Sequence, residues 1–258
     1  AHSSMNHGLG SYNPFTGRVK IFSKFNIHPD RRRIFSDLKN RSWLFADQGV
    51  NEQYLFLLNK QTGALEQAYK IPIGTTNNQL QFVRDLYSDS REFVYLATEK
   101  GLFRLNLQAA DSITRWKIFQ NNAKDTTTLC SNSLWCICPD PLAPNKFLWL
   151  GSTSNGLDRM EISSGKCIHF TEEDGLPNNV VYGILSDRSN NLWMSTNKGL
   201  SCFNPITKTF QNFTTEDGLS SDEFNHFEYM KLKNGDLFFR EGSQKRMRVQ
   251  DLGISTVD

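Results

Sequence analysis

The feature that most constrains this chain is a phrase it repeats. An apolar run closes on Ser-Asp or Pro-Asp, a short polar turn follows, then a strand, then Gly-Leu and another strand. The clearest copy runs from Val180 to Phe203. Ile34-Phe35-Ser36-Asp37 leads six residues later to Trp43, Leu86-Tyr87-Ser88-Asp89 to Tyr95, and Asp187 to Trp193. Asp140 reaches Trp149 after a three-residue insertion. The accompanying glycines are Gly8, Gly49, Gly101, Gly156 and Gly199, spaced 41, 52, 55 and 43 residues apart. A period of this size built from short strands and turns is the signature of a propeller or solenoid array.

The repeat decides how 258 residues are organised. A unit of about 45 residues cannot bury its apolar faces alone, so successive units must stack into one all-β domain. Within the clearest unit, Val180 to Leu185 is apolar on both faces, as a strand between neighbouring sheets should be. Asp187 is placed to accept backbone N–H groups and close the turn at Ser186 to Asn191. Leu192 to Thr196 is the second strand, and Asn197-Lys198-Gly199 the hairpin, with Gly199 at positive φ. Leu200 to Phe203 and Thr209 to Thr214 complete four antiparallel strands, which is one propeller blade. The turn Asn204-Pro205-Ile206-Thr207-Lys208 has a twin at Asn13-Pro14-Phe15-Thr16-Gly17, so the sequence opens in the second half of a blade.

The expected layout is therefore a tag-like or disordered stretch at 1–7, a half-blade at 8–25, and complete blades at about 31–71, 80–119, 129–171 and 176–214. A half-blade at 219–239 follows, then an atypical tail at 240–258. Pairing of the two half-blades would make a five-bladed ring; the alternative is an open part of a larger one.

Composition narrows the function classes. Lys and Arg number 29 against 27 Asp and Glu, and the nearest thing to a basic patch is Arg31-Arg32-Arg33, so no nucleic-acid partner is expected. No run of about 18 apolar residues offers a membrane-crossing helix. The five cysteines include no CxxC pair, and no His/Cys spacing fits zinc; all five read as small apolar fillers, and no cofactor or metal is expected. Kinase chemistry lacks a phosphoacceptor His on a helix, a Gly-rich ATP lid and a receiver set. Ser186 to Trp193 looks superficially like the Asp-box turn of sialidases, but that turn is structural, and no hydrolytic constellation can be placed.

Residues 174–213 resemble the two-component regulator propeller repeat. The likeness rests on Asp174-Gly175-Leu176-Pro177-Asn178-Asn179-Val180, Asn191-Leu192-Trp193, Thr196, Gly199-Leu200, Phe203-Asn204-Pro205 and Thr207. Ser195 stands where the pattern prefers Gly, which the preceding blade keeps in Leu148-Trp149-Leu150-Gly151-Ser152. Gly218 to Asn225 is similar to the family's closing repeat, although Arg240 to Asp258 lacks the Gly-Gly turn and Phe-x-Pro strand expected next. The resemblance implies the periplasmic sensor part of a hybrid histidine kinase. It further implies an oligosaccharide ligand, a homodimer, no direct membrane insertion by this segment, and no catalysis within it. A protein-interaction propeller is the competing expectation, and a glycan hydrolase a weaker third.

The repeated phrase itself belongs to the scaffold, so a functional site should lie where the blades differ. Counting back five residues from each anchoring Asp gives Arg32, Arg84, Trp135 and Tyr182, with Asn225 at the equivalent point of the last unit. Three residues earlier lie Gln81, Asn132 and Asn179, with Asp222 in the last unit. Starts of inner strands converge at one face of a propeller, and such a mouth is the default ligand site. Ligand-binding candidates are therefore Arg32, Arg84, Trp135, Tyr182, Asn225, Asn132 and Asn179, able to stack on sugar rings and bond hydroxyls or a carboxylate.

Overall fold

A computed structural model describes residues 8–12, 19–24, 32–37, 39–47, 52–59, 61–62, 64–72, 83–111, 114–241 and 245–252. The expected turn at 13–17, the hairpin at Gly49, Gln81 and the side chain of Arg32 lie outside them. The chain is all-β, built from the four-stranded antiparallel blades of a β-propeller. Among the described residues the only helical pieces are single 3₁₀ turns, and no helix is long and apolar enough to cross a membrane.

The chain divides into two compact units, 1–83 and 84–258. In the first, β1 (Gly8–Tyr12) pairs with β2 (Val19–Lys24). A complete blade follows: β3 (Arg32–Ser36), β4 (Ser42–Asp47), β5 (Gln53–Leu58) and β6 (Leu65–Lys70), each bonded to the next. Its buried side chains include Trp43, Leu44, Phe45, Ala46 and Phe56.

The second unit holds three complete blades. They are β7 (Val83–Ser88), whose first residue is the last of the first unit, with β8 (Phe93–Thr98), β9 (Gly101–Asn106) and β10 (Trp116–Phe119); then β11 (Leu134–Pro139) to β14 (Cys167–Phe170), with β12 (Phe147–Ser152) and β13 (Leu157–Glu161) between. The third is β15 (Val181–Ser186), β16 (Leu192–Thr196), β17 (Gly199–Asn204) and β18 (Thr209–Phe213). A last, three-stranded sheet follows the order β19 (Phe224–Lys231), β20 (Leu237–Glu241) and β21 (Lys245–Arg248). The segment after Phe239 thus adds a strand to its own sheet, although it carries none of the repeat's residues.

In the second unit the apolar clusters join neighbouring blades, whereas in the first Leu44, Ala46, Phe56 and Leu58 cluster within one blade. One cluster joins Tyr95, Leu102 and Phe119 of one blade to Leu134, Leu148 and Met160 of the next. A second joins Cys136, Trp149 and Leu157 to Val181, Leu192 and Phe203. A third joins Trp193, Leu200 and Phe213 to Phe224, Leu237 and Phe239. This is why the inner strands are apolar on both faces: each sheet has a neighbour on either side.

The repeated Asp is the polar pin of each blade. Its carboxylate accepts the ring N–H or O–H of the aromatic on the second strand: Trp43 to Asp37 at 2.9 Å, Tyr95 to Asp89 at 3.3 Å, Trp149 to Asp140 at 3.1 Å, Trp193 to Asp187 at 2.9 Å. The same carboxylates accept backbone N–H groups of the turn, such as Arg41 and Asn191 at 2.8 Å each. In three blades an arginine adds its charge: Arg41, Arg91 or Arg159. The insertion after Asp140 leaves this bond intact.

Successive blades are joined by a second repeated device. Gly101, Gly156 and Gly199 donate their N–H to the carbonyls of Asn132, Asn179 and Asp222 in the next unit, at 2.6, 2.8 and 2.6 Å. Gly199 has φ +88°, and a Cβ there would lie 2.0 Å from the carbonyl oxygen of Phe213. Only glycine fits that close backbone approach.

Candidate functional site

The inner strands β11, β15 and β19 each start with a step in register against the strand that follows. In β11 the register steps from Leu134 to Cys136, leaving Trp135 as the extra residue. In β15 it steps from Val181 to Gly183, leaving Tyr182. In β19 it steps from Phe224 to Tyr229, leaving Asn225 to Glu228. A bulge re-aims the side chain of its extra residue out of the normal alternation. Trp135 and Tyr182 are thereby turned toward each other, ring centroids 5.7 Å apart.

His226, from the β19 bulge, stacks on Trp135 at 4.8 Å with an interplanar angle of 18°, and lies 6.2 Å from Tyr182. Counting back from the repeat pointed to Asn225; the residue that joins the aromatic group is its neighbour. The only signal available in the sequence was the aromatic character of His226, because the length of the bulge cannot be read from the repeat. Asn225 and His226 are both exposed, and Trp135 and Tyr182 are half-buried, so the cluster opens to solvent.

Arg84, on β7, brings its guanidinium carbon 4.0 Å from the Trp135 ring centre. It also donates to Ser133 Oγ at 3.0 Å, the Leu134 carbonyl at 3.2 Å and Glu99 Oε1 at 2.5 Å. Burial lowers its pKa, while the Glu99 carboxylate works in the opposite sense. Tyr182 donates its hydroxyl to Asn197 Oδ1 at 2.8 Å. The result is an aromatic surface of three rings beside an arginine whose charge is already balanced.

Asn132 and Asn179 each accept a backbone hydrogen bond. Asn132 Oδ1 accepts the N–H of Asn121 at 2.7 Å, and Asn179 Oδ1 that of Glu172 at 3.0 Å. Asp222 Oδ1 does the same for Thr215 at 2.7 Å. These side chains fasten the connection leaving each outer strand, beside the inter-blade bonds of their own carbonyls. Arg32 begins β3 in the first unit, opposite Ala46.

A second, half-buried polar contact ties these strands together. Asp85 Oδ2 accepts the Tyr229 hydroxyl at 2.9 Å and the Ile137 N–H at 2.8 Å, so one carboxylate connects β7, β11 and β19. Burial, then the charge of Asp85, pushes the Tyr229 phenol well above its ordinary pKa. The Tyr229 ring passes directly over Gly183, where a Cβ would come within 2.2 Å of it.

Residues 175–198, from the αL cap at Gly175 through β15 and β16, match the family model described as two component regulator propeller. That stretch carries one such propeller repeat. The matched stretch covers the first two strands of the blade holding Tyr182, Asp187 and Trp193. Over 245 residues the chain is 28% identical to histidine kinase P4 of Formosa agariphila, covering 90% of this chain and 16% of that protein. Its fold resembles the extracellular domain assigned to a hybrid two component system of B. thetaiotaomicron, with a TM-score of 0.64 and 19% identity. That match covers 85% of this chain and 27% of the other. The chain thus spans a minor share of the length of both relatives.

Proposed function

We propose that this propeller is the extracytoplasmic ligand-sensing part of a two-component histidine kinase, that it recognises an oligosaccharide, and that it performs no catalysis itself. The observation that carries the reading is the Trp135–Tyr182–His226 group, built at strand bulges where the blades differ and open to solvent. Aromatic faces with polar edges suit the alternating apolar and hydroxyl faces of a sugar ring. Arg84 holds Trp135 from β7 and is itself neutralised by Glu99, which favours an uncharged sugar over a uronate. Likeness to a histidine kinase and to an extracellular domain supports the placement outside the cytoplasm.

Signalling follows from linkage. A ligand that binds one arrangement of the sensor more tightly than another shifts the population between them, and the kinase reads that shift. Isothermal calorimetry against a panel of neutral and acidic oligosaccharides tests the reading. A neutral oligosaccharide should bind saturably, and Trp135→Ala should weaken it at least about tenfold, a loss of about 1.4 kcal/mol. No binding by any member of the panel would overturn the reading in favour of a protein-interaction platform, and turnover of a chromogenic glycoside would overturn it in favour of a hydrolase.

A further inference from the structure

Cys130, Asp158 and His169 lie far apart in sequence, and the fold brings them into one place. Asp158 on β13 and His169 on β14 are direct cross-strand partners. Cys130, in the segment before β11, donates its backbone N–H to Asp158 Oδ2 at 2.8 Å, which sets it beside the carboxylate. One ligand atom from each of the three residues lies within 4.8 Å of the others.

The neighbouring blades show that the scaffold does not need this chemistry. In the next blade the equivalent pair is Ser201 and Asn212, joined by a neutral hydrogen bond of 2.7 Å. Asn212 Nδ2 then donates to the Gly175 carbonyl at 2.9 Å. In the preceding blade the pair is Phe103 and Ile118. Only the blade in between combines a thiol, a carboxylate and an imidazole at this position, among the described residues.

We propose that Cys130, Asp158 and His169 form a binding site for a divalent transition metal of the zinc type. A thiolate, an imidazole and a carboxylate are the three donor types zinc takes from proteins, and three of them leave a fourth position for water or another ligand. The ring of His169 is oriented for the role: Nε2 lies 2.6 Å from the Thr126 carbonyl, which fixes the N–H there and leaves Nδ1 facing Asp158 Oδ1 at 2.6 Å. A metal-ligating histidine characteristically gives its other N–H to such a carbonyl. The hydrogen bond to Asp158 raises the His169 pKa, and burial raises that of the Cys130 thiol. Ligation requires the Cys130 thiol and His169 Nδ1 to be free of protons, so any they hold are released to solvent as the cation binds. The imidazole, with 29% of its side chain exposed, gives access from solvent to a carboxylate that is fully buried.

The test uses the full chain and the metal alone. Equilibrium dialysis with Zn²⁺ should show saturable uptake of one equivalent, and Co²⁺ in its place should give a thiolate-to-cobalt charge-transfer band in the near ultraviolet. Cys130→Ser and His169→Asn should each weaken uptake by about tenfold or more. His169→Asn installs the residue that the next blade uses at the same position, so its fold is expected to survive, and circular dichroism checks this. No saturable uptake by the unaltered chain, a cobalt spectrum without the thiolate band, or equal uptake by folded variants would each overturn the proposal.

Discussion

Asp187 receives three N–H donors: the backbone and side-chain amide of Asn191 and the indole of Trp193. Removing the carboxylate leaves a buried indole N–H with no acceptor, on a ring that is 1% exposed. Asp187→Ala should therefore destabilise the protein by about 2–4 kcal/mol, measured by urea unfolding. Asp37, the same pin in the first unit, adds a pH dependence. Burial alone would raise its pKa, but the indole of Trp43 and the side chain and backbone of Arg41 outweigh that and bring it below the ordinary 3.8. Its contribution is thus complete above the unfolded value and is lost as the pH falls through the folded one. Unfolding midpoints followed from about pH 6 to about pH 2.5 should fall more steeply for the natural protein than for Asp37→Asn, which cannot ionise. Equal slopes would show that Asp37 is not the group responsible.

At the scale of the strand, the bulges of β11, β15 and β19 decide which residues meet. Gly183 follows the bulged Tyr182 and lies under the Tyr229 ring, so Gly183→Ala should cost about 1–3 kcal/mol through overpacking. Shrinking the ring should relieve it: in a Tyr229→Leu background the same alanine should cost measurably less, and a double-mutant cycle with no coupling would contradict the contact. The strands themselves were legible in the sequence, because short apolar runs, Asp turns and Gly hairpins are local signals. So was the pairing of Asp187 with its turn. Asn132 and Asn179 were legible as repeat positions, but the donors that occupy them come from the connection after an outer strand, several residues upstream. His226 was hidden because a four-residue bulge breaks the count from the repeat. The Cys130–Asp158–His169 group was hidden for a different reason: its spacings follow strand pairing and a long connection, and match no linear metal motif.

Across the whole molecule, the apolar clusters of the second unit are made among its own blades, and Asp85 ties its first inner strand to its last sheet. A fragment spanning residues 83–252 should therefore fold independently and unfold in one cooperative thermal transition by circular dichroism. A broad, non-cooperative loss of signal would mean that the clusters need residues 1–82 to form. Within that fragment Asp85→Asn should lower the midpoint, since a neutral amide oxygen replaces a charged acceptor for the Tyr229 hydroxyl.

The bonds from Gly101, Gly156 and Gly199 to the carbonyls of Asn132, Asn179 and Asp222 have a bearing on how such a chain lengthens or shortens over evolution. Each junction uses a donor at one fixed place in a repeat and an acceptor at one fixed place in the following repeat. Duplicating or deleting a whole period therefore regenerates a matched donor and acceptor at the new boundary, wherever in the period the breakpoints fall. Gene rearrangement can change the number of repeats without inventing a new joint, whereas a gain or loss of half a period would strand an unpaired amide at each cut.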